Sequence, residues 1–306
     1  MDMRIIVGLF ALTLVKATPL TLGALSGIFC ERCGVVNIAI EGMMLTAAFT
    51  GFTVAFLTGS NLVGIIVALL TGGLLALLHA VLSIRFEMDQ IISGTVINLL
   101  AIGITGYFNR VLFYGRNVPG VEVLPLVKIP LLSQIPFLGP VLFIHQPIAY
   151  TMVILVFVVH VILFYTPWGL RMRAVGEHPR AADTLGINVY RVRYINVVVG
   201  GMIAGLAGAF LTLEAVGTFE KLMSNGRGFI ALAAMIFGKW TPFGAFAAAL
   251  LFGFSEALGV RLQIENIGVP YQFLSMLPYL LTIIVLAGVV GRATPPAAVG
   301  KPYRKQ

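Results

Sequence analysis

Long runs of apolar residues dominate this sequence of 306 residues. A helix rises 1.5 Å per residue, so about 20 such residues cross the roughly 30 Å hydrocarbon core of a bilayer. Two shorter apolar pieces, Leu20–Phe29 and Gly228–Gly238, have about half that length and are predicted to be half-helices. The longer runs are bounded by charged residues, Pro or Gly and predict eight spans: 4–18, 38–58, 62–82, 91–113, 148–165, 192–214, 243–259 and 274–290.

The scarcity of charge identifies the solvent around these runs. Apolar residues make up 59% of the chain and Asp, Glu, Lys and Arg only 10%, against about 25% charged residues in ordinary soluble domains. Such a surface suits lipid and not water. In lipid the backbone must be hydrogen-bonded within the chain, and long apolar runs achieve this as helices. We therefore predict an all-α, polytopic transmembrane bundle of about 8–10 spans, formed by a single domain over residues 1–306.

The basic residues predict the orientation of this bundle. With ten crossings both termini lie on one side, which carries thirteen Lys and Arg residues against seven on the other; eight crossings also leave the termini on a shared side. Because cytoplasmic loops are the more basic ones, we expect both termini and the segment 166–191 in the cytoplasm. The loop 114–147 then lies outside, where its prolines favour stiff extended segments that serve as a linker or as a docking platform.

The segment Trp168–Arg193 is the only dense cluster of charge in the sequence and must face water or protein. Pro179 suits the first turn of a helix and Gly186 suits its end. This pattern predicts a helix of about two turns, roughly 10 Å long. Such a helix is too small for a catalytic domain but rigid enough for a partner protein to push. A solvated loop is the alternative interpretation.

Three stretches carry a resemblance to a known family. They are R-A-V-G-E-H-P-R-A-A-D-T-L-G-I-N from Arg173 to Asn188, G-V-V-N-I-A-I-E-G-M-M-L from Gly34 to Leu45, and I-I-S-G-T-V-I-N-L-L-A from Ile91 to Ala101. In order and spacing, over nearly the whole chain, they resemble the permease subunits of bacterial ABC importers. The similarity is to the nucleoside and simple-sugar branch of the branched-chain amino acid and ribose-type permease superfamily.

The resemblance implies a multi-pass permease of the bacterial cytoplasmic (inner) membrane that imports nucleosides or simple sugars by alternating access. The implied partners are cytoplasmic ATPase subunits, a second permease (identical or related), an extracytoplasmic substrate-binding protein and the lipid bilayer. No G-x-x-x-x-G-K-[ST] loop occurs in the sequence, so we expect no enzyme activity and no cofactor here, with ATP and Mg bound by the partner ATPase. The residues that this resemblance assigns to coupling with the ATPase are Gly176, Glu177, His178, Pro179, Arg180, Asp183 and Gly186.

Polar residues inside the apolar runs are candidates for the substrate pathway, because each is costly in hydrocarbon unless it faces water or the bundle interior. Asn37 and Glu41 share a helix face at four-residue spacing and, with Asn98, could hydrogen-bond ribose hydroxyls or a base edge. They could equally connect neighbouring helices. Small residues around Gly201 and Gly205 form a G-x-x-x-G pattern, which we interpret as packing inside the chain.

Two other classes of protein fit parts of the sequence. An ion-coupled secondary transporter of a small polar solute would share the spans and half-helices, but Glu41 is thin support and the segment 166–191 would have no task. An intramembrane hydrolase would need a base beside a nucleophile such as Ser255, and none is convincing. The basic residues are thinly spread, so no nucleic-acid partner is expected. Cys30 and Cys33 lack a second ligand pair, so no metal site is expected.

Overall fold

The computed structural model describes residues 3–113, 120–264 and 293–305, together with 273, 276 and 280. The described chain is mainly helical, as the sequence predicted. It also contains one antiparallel pair of two-residue strands. The elements are α1 (Met3–Glu31), α2 (Ile40–Thr58), α3 (Asn61–Ala80), α4 (Gln90–Phe113), β1 (Val127–Lys128), a 3-10 turn (Leu132–Gln134), α5 (Leu138–Leu142), β2 (Ile144–His145), α6 (Pro147–Tyr165), α7 (Pro167–Glu177), α8 (Pro179–Thr184), α9 (Val189–Ala209), α10 (Arg227–Phe237) and α11 (Pro242–Ile264). Two of these helices, α3 and α9, continue into π-helical turns at Val81–Arg85 and Phe210–Val216.

Seven helices in the described part of the chain are long and apolar enough to cross a membrane. They coincide with the first seven predicted spans, which confirms a polytopic all-α bundle. The eighth predicted span, 274–290, lies almost entirely outside the described residues. The half-helix predicted at Gly228–Gly238 is present as α10, an 11-residue helix.

Helix α1 corrects the prediction for the first 30 residues. It runs unbroken for 29 residues and passes through Pro19, so Leu20–Phe29 is not a separate half-helix. Proline removes one backbone donor, but ending the helix inside hydrocarbon would leave several groups without partners. The hydroxyl of Thr18 donates to the carbonyl of Leu14, one turn back, at 2.9 Å. The rule that proline ends a helix therefore fails here, because the solvent is lipid.

The continuous α1 also sets where the first and last described segments lie relative to each other. The helix is about 43 Å long, so its two ends lie at opposite ends of the bundle. Near its start, the ring of Phe10 lies 5.9 Å from that of Phe137 in the Pro-rich loop. Beyond its other end, the carbonyl of Gly34 accepts from the amide of Gly300, at 3.2 Å. The start of α1 and the described C-terminal segment thus lie at opposite ends of the bundle.

Helix α9 forms the centre of the bundle because glycines let other helices approach its backbone. A Cβ added at Gly201 or Gly205 would overlap the backbone of α3, and one added at Gly208 would overlap that of α2. Small residues at such contacts replace side-chain bulk with close backbone packing. The interpretation of the G-x-x-x-G pattern as packing inside the chain is confirmed.

Replacing Gly205 with Leu is expected to destabilise the bundle, because the side chain would overlap the backbone of Ala68 and Leu69. Overpacking of this kind costs about 1–3 kcal/mol, which should lower the melting temperature of the purified protein in detergent. Gly103→Leu in α4 is the matched control, since an added Cβ there meets nothing within 4 Å. Equal losses in the two variants would contradict the close contact between α3 and α9.

Candidate functional site: a coupling surface and the polar groups of the spans

The predicted coupling segment folds into two short helices, α7 and α8. The hydroxyl of Thr166 caps α7 by accepting from the amide of Gly169, at 3.2 Å. The chain leaves helical geometry at His178 (φ −137°), and Pro179 then occupies the first position of the six-residue α8. Gly186, with φ +80°, ends the segment in the left-handed region that favours glycine. The two-turn helix predicted from the sequence is confirmed.

Two contacts brace these helices against the bundle. The indole nitrogen of Trp168 in α7 donates to Oδ1 of Asn196 in α9, at 3.2 Å. Gly176 lies so close to the backbone of Arg32 that a Cβ there would overlap its carbonyl group. A displacement of α7 would therefore move both α9 and the segment that follows α1.

The exposed face around α8 is mainly polar, with one apolar side chain directly after the helix. Glu177, His178 and Arg180 are exposed, and Leu185 exposes 82% of its surface. We call these four residues the coupling surface. Gly176, predicted to belong with them, is buried and contributes close packing instead.

The described C-terminal segment, residues 293–305, lies across the same end of the bundle, and we call it the C-terminal strap. The amide of Ala298 donates to the carbonyl of Gly176 at 2.9 Å, and the amide of Ala297 donates to Oε2 of Glu177 at 3.1 Å. The strap thus holds the end of α7. Sequence analysis missed this contact because backbone amides of a terminal segment leave no pattern in the side chains.

The strap also reaches α8, α9 and the loop between α3 and α4. Its last residues form ion pairs, Lys305 with Asp183 at 3.9 Å and Arg304 with Glu87 at 2.6 Å. The hydrogen bond from Arg304 lowers the pKa of the Glu87 carboxyl. The strap accepts two hydrogen bonds from α9 through its carbonyls: Arg193 Nη1 to Lys301 at 3.1 Å and the Tyr190 hydroxyl to Tyr303 at 3.1 Å.

Two of the predicted pathway residues hold the junction between α1 and α2, residues 32–39. Oδ1 of Asn98 accepts from the amide of Gly42 at 2.7 Å, and its Nδ2 donates to the carbonyl of Ile38 at 3.0 Å. Asn37 is fully buried, and its Oδ1 accepts from the amide of Ala39 at 3.1 Å. Both side chains therefore hydrogen-bond the chain's own backbone, where the helical pattern is interrupted.

The third predicted pathway residue, Glu41, caps the half-helix α10 from outside. Its Oε1 accepts from the amide of Gly226 at 2.8 Å and its Oε2 from the amide of Gly228 at 2.6 Å. The first amides of a helix have no partner within the helix and carry partial positive charge. A carboxylate from α2 thus supplies the cap that the residues before α10 do not provide.

Glu214 caps another helix in the same manner, and sequence analysis gave it no role. Its Oε2 accepts from the amide of Ile148 at 2.7 Å and its Oε1 from the amide of Ala149 at 3.1 Å, both in the first turn of α6. A single carboxylate inside an apolar run was the only signal, and its partner is 65 residues away. The contacts found for Asn37, Asn98 and Glu41 fit the connecting role that the sequence left open, and their contact with substrate stays a prediction.

Glu41→Gln is expected to lower the melting temperature of the purified protein, because the side-chain NH2 group would face a backbone amide that now donates to a carboxylate. Loss of one hydrogen bond to a charged group costs about 1.5–3 kcal/mol. Glu122→Gln, on an exposed residue of the Pro-rich loop, is the matched control. Unchanged stability combined with lost transport would contradict the capping role and favour a place in the pathway.

Deleting residues 297–306 is expected to release α7 and α8, because the hydrogen bonds to Gly176 and Glu177 are lost. At about 0.5–1.5 kcal/mol per hydrogen bond, amide exchange in these helices should rise roughly tenfold, as measured by mass spectrometry. Peptides from 120–146 serve as the internal control and should keep their rates. Unchanged exchange in α7 would show that the strap does not hold it.

Comparison with known proteins identifies the family of this bundle. The family model described as "Branched-chain amino acid transport system / permease component" matches residues 9–286. The guanosine ABC transporter permease protein NupQ of Bacillus subtilis (strain 168) is 44% identical over 96% of this chain and 95% of its own length. The nucleoside ABC transporter permease protein NupC of Lactococcus lactis subsp. cremoris (strain MG1363) is 40% identical over 95% of both chains.

A third relative carries a different substrate in its name. The putative glucose ABC transporter permease protein TsgC13 of Haloferax volcanii is 35% identical over 93% of this chain and 92% of its own length. No solved structure gives a significant match. Because the family model covers most of the chain and these relatives align over nearly all of it, the chain belongs to the family of ABC transporter permease components of the branched-chain amino acid transport type.

Proposed function

We propose that this chain is the permease of an ATP-driven importer of nucleosides, and that cytoplasmic ATPase subunits dock on the coupling surface. The observation that carries the proposal is that α7 and α8 expose polar residues and also contact α9 and the segment after α1 directly. A force applied to these two helices would therefore reach the membrane-spanning helices. The choice of nucleosides is supported by the names of the two relatives with 44% and 40% identity. A simple sugar is the second candidate, because the relative with 35% identity is named for glucose.

The distribution of basic residues supports the orientation that this function requires. Of the Lys and Arg residues that the structure describes, eleven lie toward the end of the bundle that carries the coupling surface and five toward the other, while Lys16 and Arg227 lie between the two ends. By the positive-inside rule the coupling surface and the C-terminal strap face the cytoplasm, and the start of α1 faces outward. The Pro-rich loop then faces the extracytoplasmic binding protein.

The bracing contacts suggest how ATP drives transport. Closure of the ATPase pair, which binds ATP and Mg, pushes α8 and α7 as a unit. Trp168 and Gly176 pass this displacement to α9 and to the junction between α1 and α2. The glycines of α9 lie directly against the backbone of α3 and α2, so these helices move together. Their movement reverses the access of a cavity shared with a second permease. Glu41, the carboxylate on which ion coupling would depend, instead caps α10.

Arg180→Glu combined with Leu185→Asp is expected to abolish transport. The double variant reverses one charge of the coupling surface and replaces its apolar side chain, which disfavours docking. ATP-dependent uptake of labelled guanosine by proteoliposomes containing the permease, ATPase and binding protein should fall more than tenfold, and the ATPase should no longer copurify.

The conservative pair Arg180→Lys and Leu185→Met is the matched control and should retain both uptake and copurification. Normal uptake by the Glu and Asp variant would contradict docking at the coupling surface. Labelled ribose and glucose in the same assay decide the substrate class. Uptake of either sugar in place of guanosine would contradict the nucleoside assignment while leaving the coupling mechanism intact.

A further inference from the structure

Three ionisable side chains meet inside the bundle, away from the coupling surface. Lys16 of α1 and Arg227 of α10 both donate to Oε1 of Glu256 in α11, at 2.9 and 3.0 Å. The three side chains are 27%, 21% and 28% exposed, respectively. We call these residues the charge cluster.

The charge cluster lies at the depth of the hydrocarbon core. Lys16 is near the middle of α1, about 20 Å along the helix from either end. Helix α10 runs alongside the second half of α1, with Ala231 against Gly23. Its first residue, Arg227, therefore lies close to the level of Lys16, well inside the membrane.

Partly exposed charges at this depth must face water or protein, because an ion in hydrocarbon is strongly unfavourable. The residues before α10 support a water-filled space. The segment 217–226 is not helical. It starts beside the Pro-rich loop, where the carbonyl of Gly217 accepts from the amide of Val121 at 2.8 Å, and reaches the level of the cluster at Asn225, which is exposed. Irregular backbone at membrane depth occurs only where it is buried in protein or lines an aqueous cavity, and Asn225 is not buried.

We propose that the charge cluster and Asn225 line the translocation cavity and bind hydroxyl groups of a neutral polyhydroxylated solute, such as the ribose part of a nucleoside. The proposal rests on the function proposed above and names the site at which that permease contacts its substrate. Asn225 is two residues from Arg227, so their Cα atoms lie within about 7 Å of each other.

The mixture of charges in the cluster suits hydroxyl groups. A hydroxyl both donates and accepts hydrogen bonds, while a carboxylate accepts and the ammonium and guanidinium groups donate. Two adjacent hydroxyls can therefore contact Glu256 and one of the cations together. An anionic solute fits less well, because the carboxylate lies between the two cations. The positive end of α10 is also already occupied by Glu41.

The test is thiol labelling of Asn225→Cys in membrane vesicles of both orientations with a charged, membrane-impermeant maleimide. Labelling of the native cysteines is expected to be low, because both are buried. We expect labelling, slowed about tenfold by millimolar guanosine or ribose but not by 2′,3′-dideoxyguanosine. Adding Glu256→Gln should leave labelling intact and remove the protection. Ile154→Cys, 60% exposed in the apolar span α6, is the control that should stay unlabelled.

Several results would overturn the proposal. Absence of labelling would place Asn225 against lipid or protein, and equal protection by dideoxyguanosine would exclude hydroxyl recognition. Stronger protection by guanosine monophosphate would indicate an anion site. Protection that persists in Glu256→Gln would show that the cluster only holds helices together. If that variant does not fold, Lys16→Gln with Glu256→Gln keeps the net charge and replaces it. Protection by ribose without nucleoside uptake would contradict the proposed substrate but not the site.

Discussion

Every backbone amide inside a bilayer needs a partner, and the breaks in the helices of this protein depend on side chains that supply one. Helices α6 and α10 begin with amides that their own preceding residues do not cap. Glu214 and Glu41, each on a different helix, accept hydrogen bonds from these amides. Without such carboxylates the first amides of a helix that starts in hydrocarbon would have no hydrogen-bond partner, and the full desolvation penalty of these groups would destabilise the fold. The cap from Glu41 therefore fixes where α10 begins inside the bundle, and the cap from Glu214 fixes where the span α6 begins after the Pro-rich loop.

These interruptions connect the fold to transport. The junction 32–39 and the segment 217–226 are the non-helical pieces that lie between spanning helices beside α10. The junction 32–39 is held by Asn98 and contacts both Gly176 and the C-terminal strap. Movement of the coupling helices thus reaches a part of the membrane domain whose backbone is not locked in a regular helix. Such a segment can change its dihedral angles at lower cost than the middle of α9.

The sequence predicted those features that depend on residues close together in the chain. Spans follow from the number of apolar residues that cross the core, and α8 follows from Pro179 and Gly186 at its ends. Pro19 misled the prediction because a local rule for helix ends was applied where lipid overrides it. The partners of Glu41 lie 185 and 187 residues away, and the strap binds α7 and α9 through its own backbone amides and carbonyls. Neither kind of contact leaves a pattern that one sequence displays.

The structure separates two kinds of polar group inside the spans. Asn37, Asn98 and Glu41 bind backbone groups, so a substrate could reach them only by displacing bonds that hold the fold. The charge cluster differs because its side chains bind one another and remain partly exposed, with one further bond from Arg227 to the carbonyl of Met223 at 3.1 Å. Ionic groups that share one carboxylate oxygen can redirect a hydrogen bond to a ligand without unfolding a helix end. A polar residue in a span is therefore a better candidate for substrate contact when its partners are side chains than when they are helix termini.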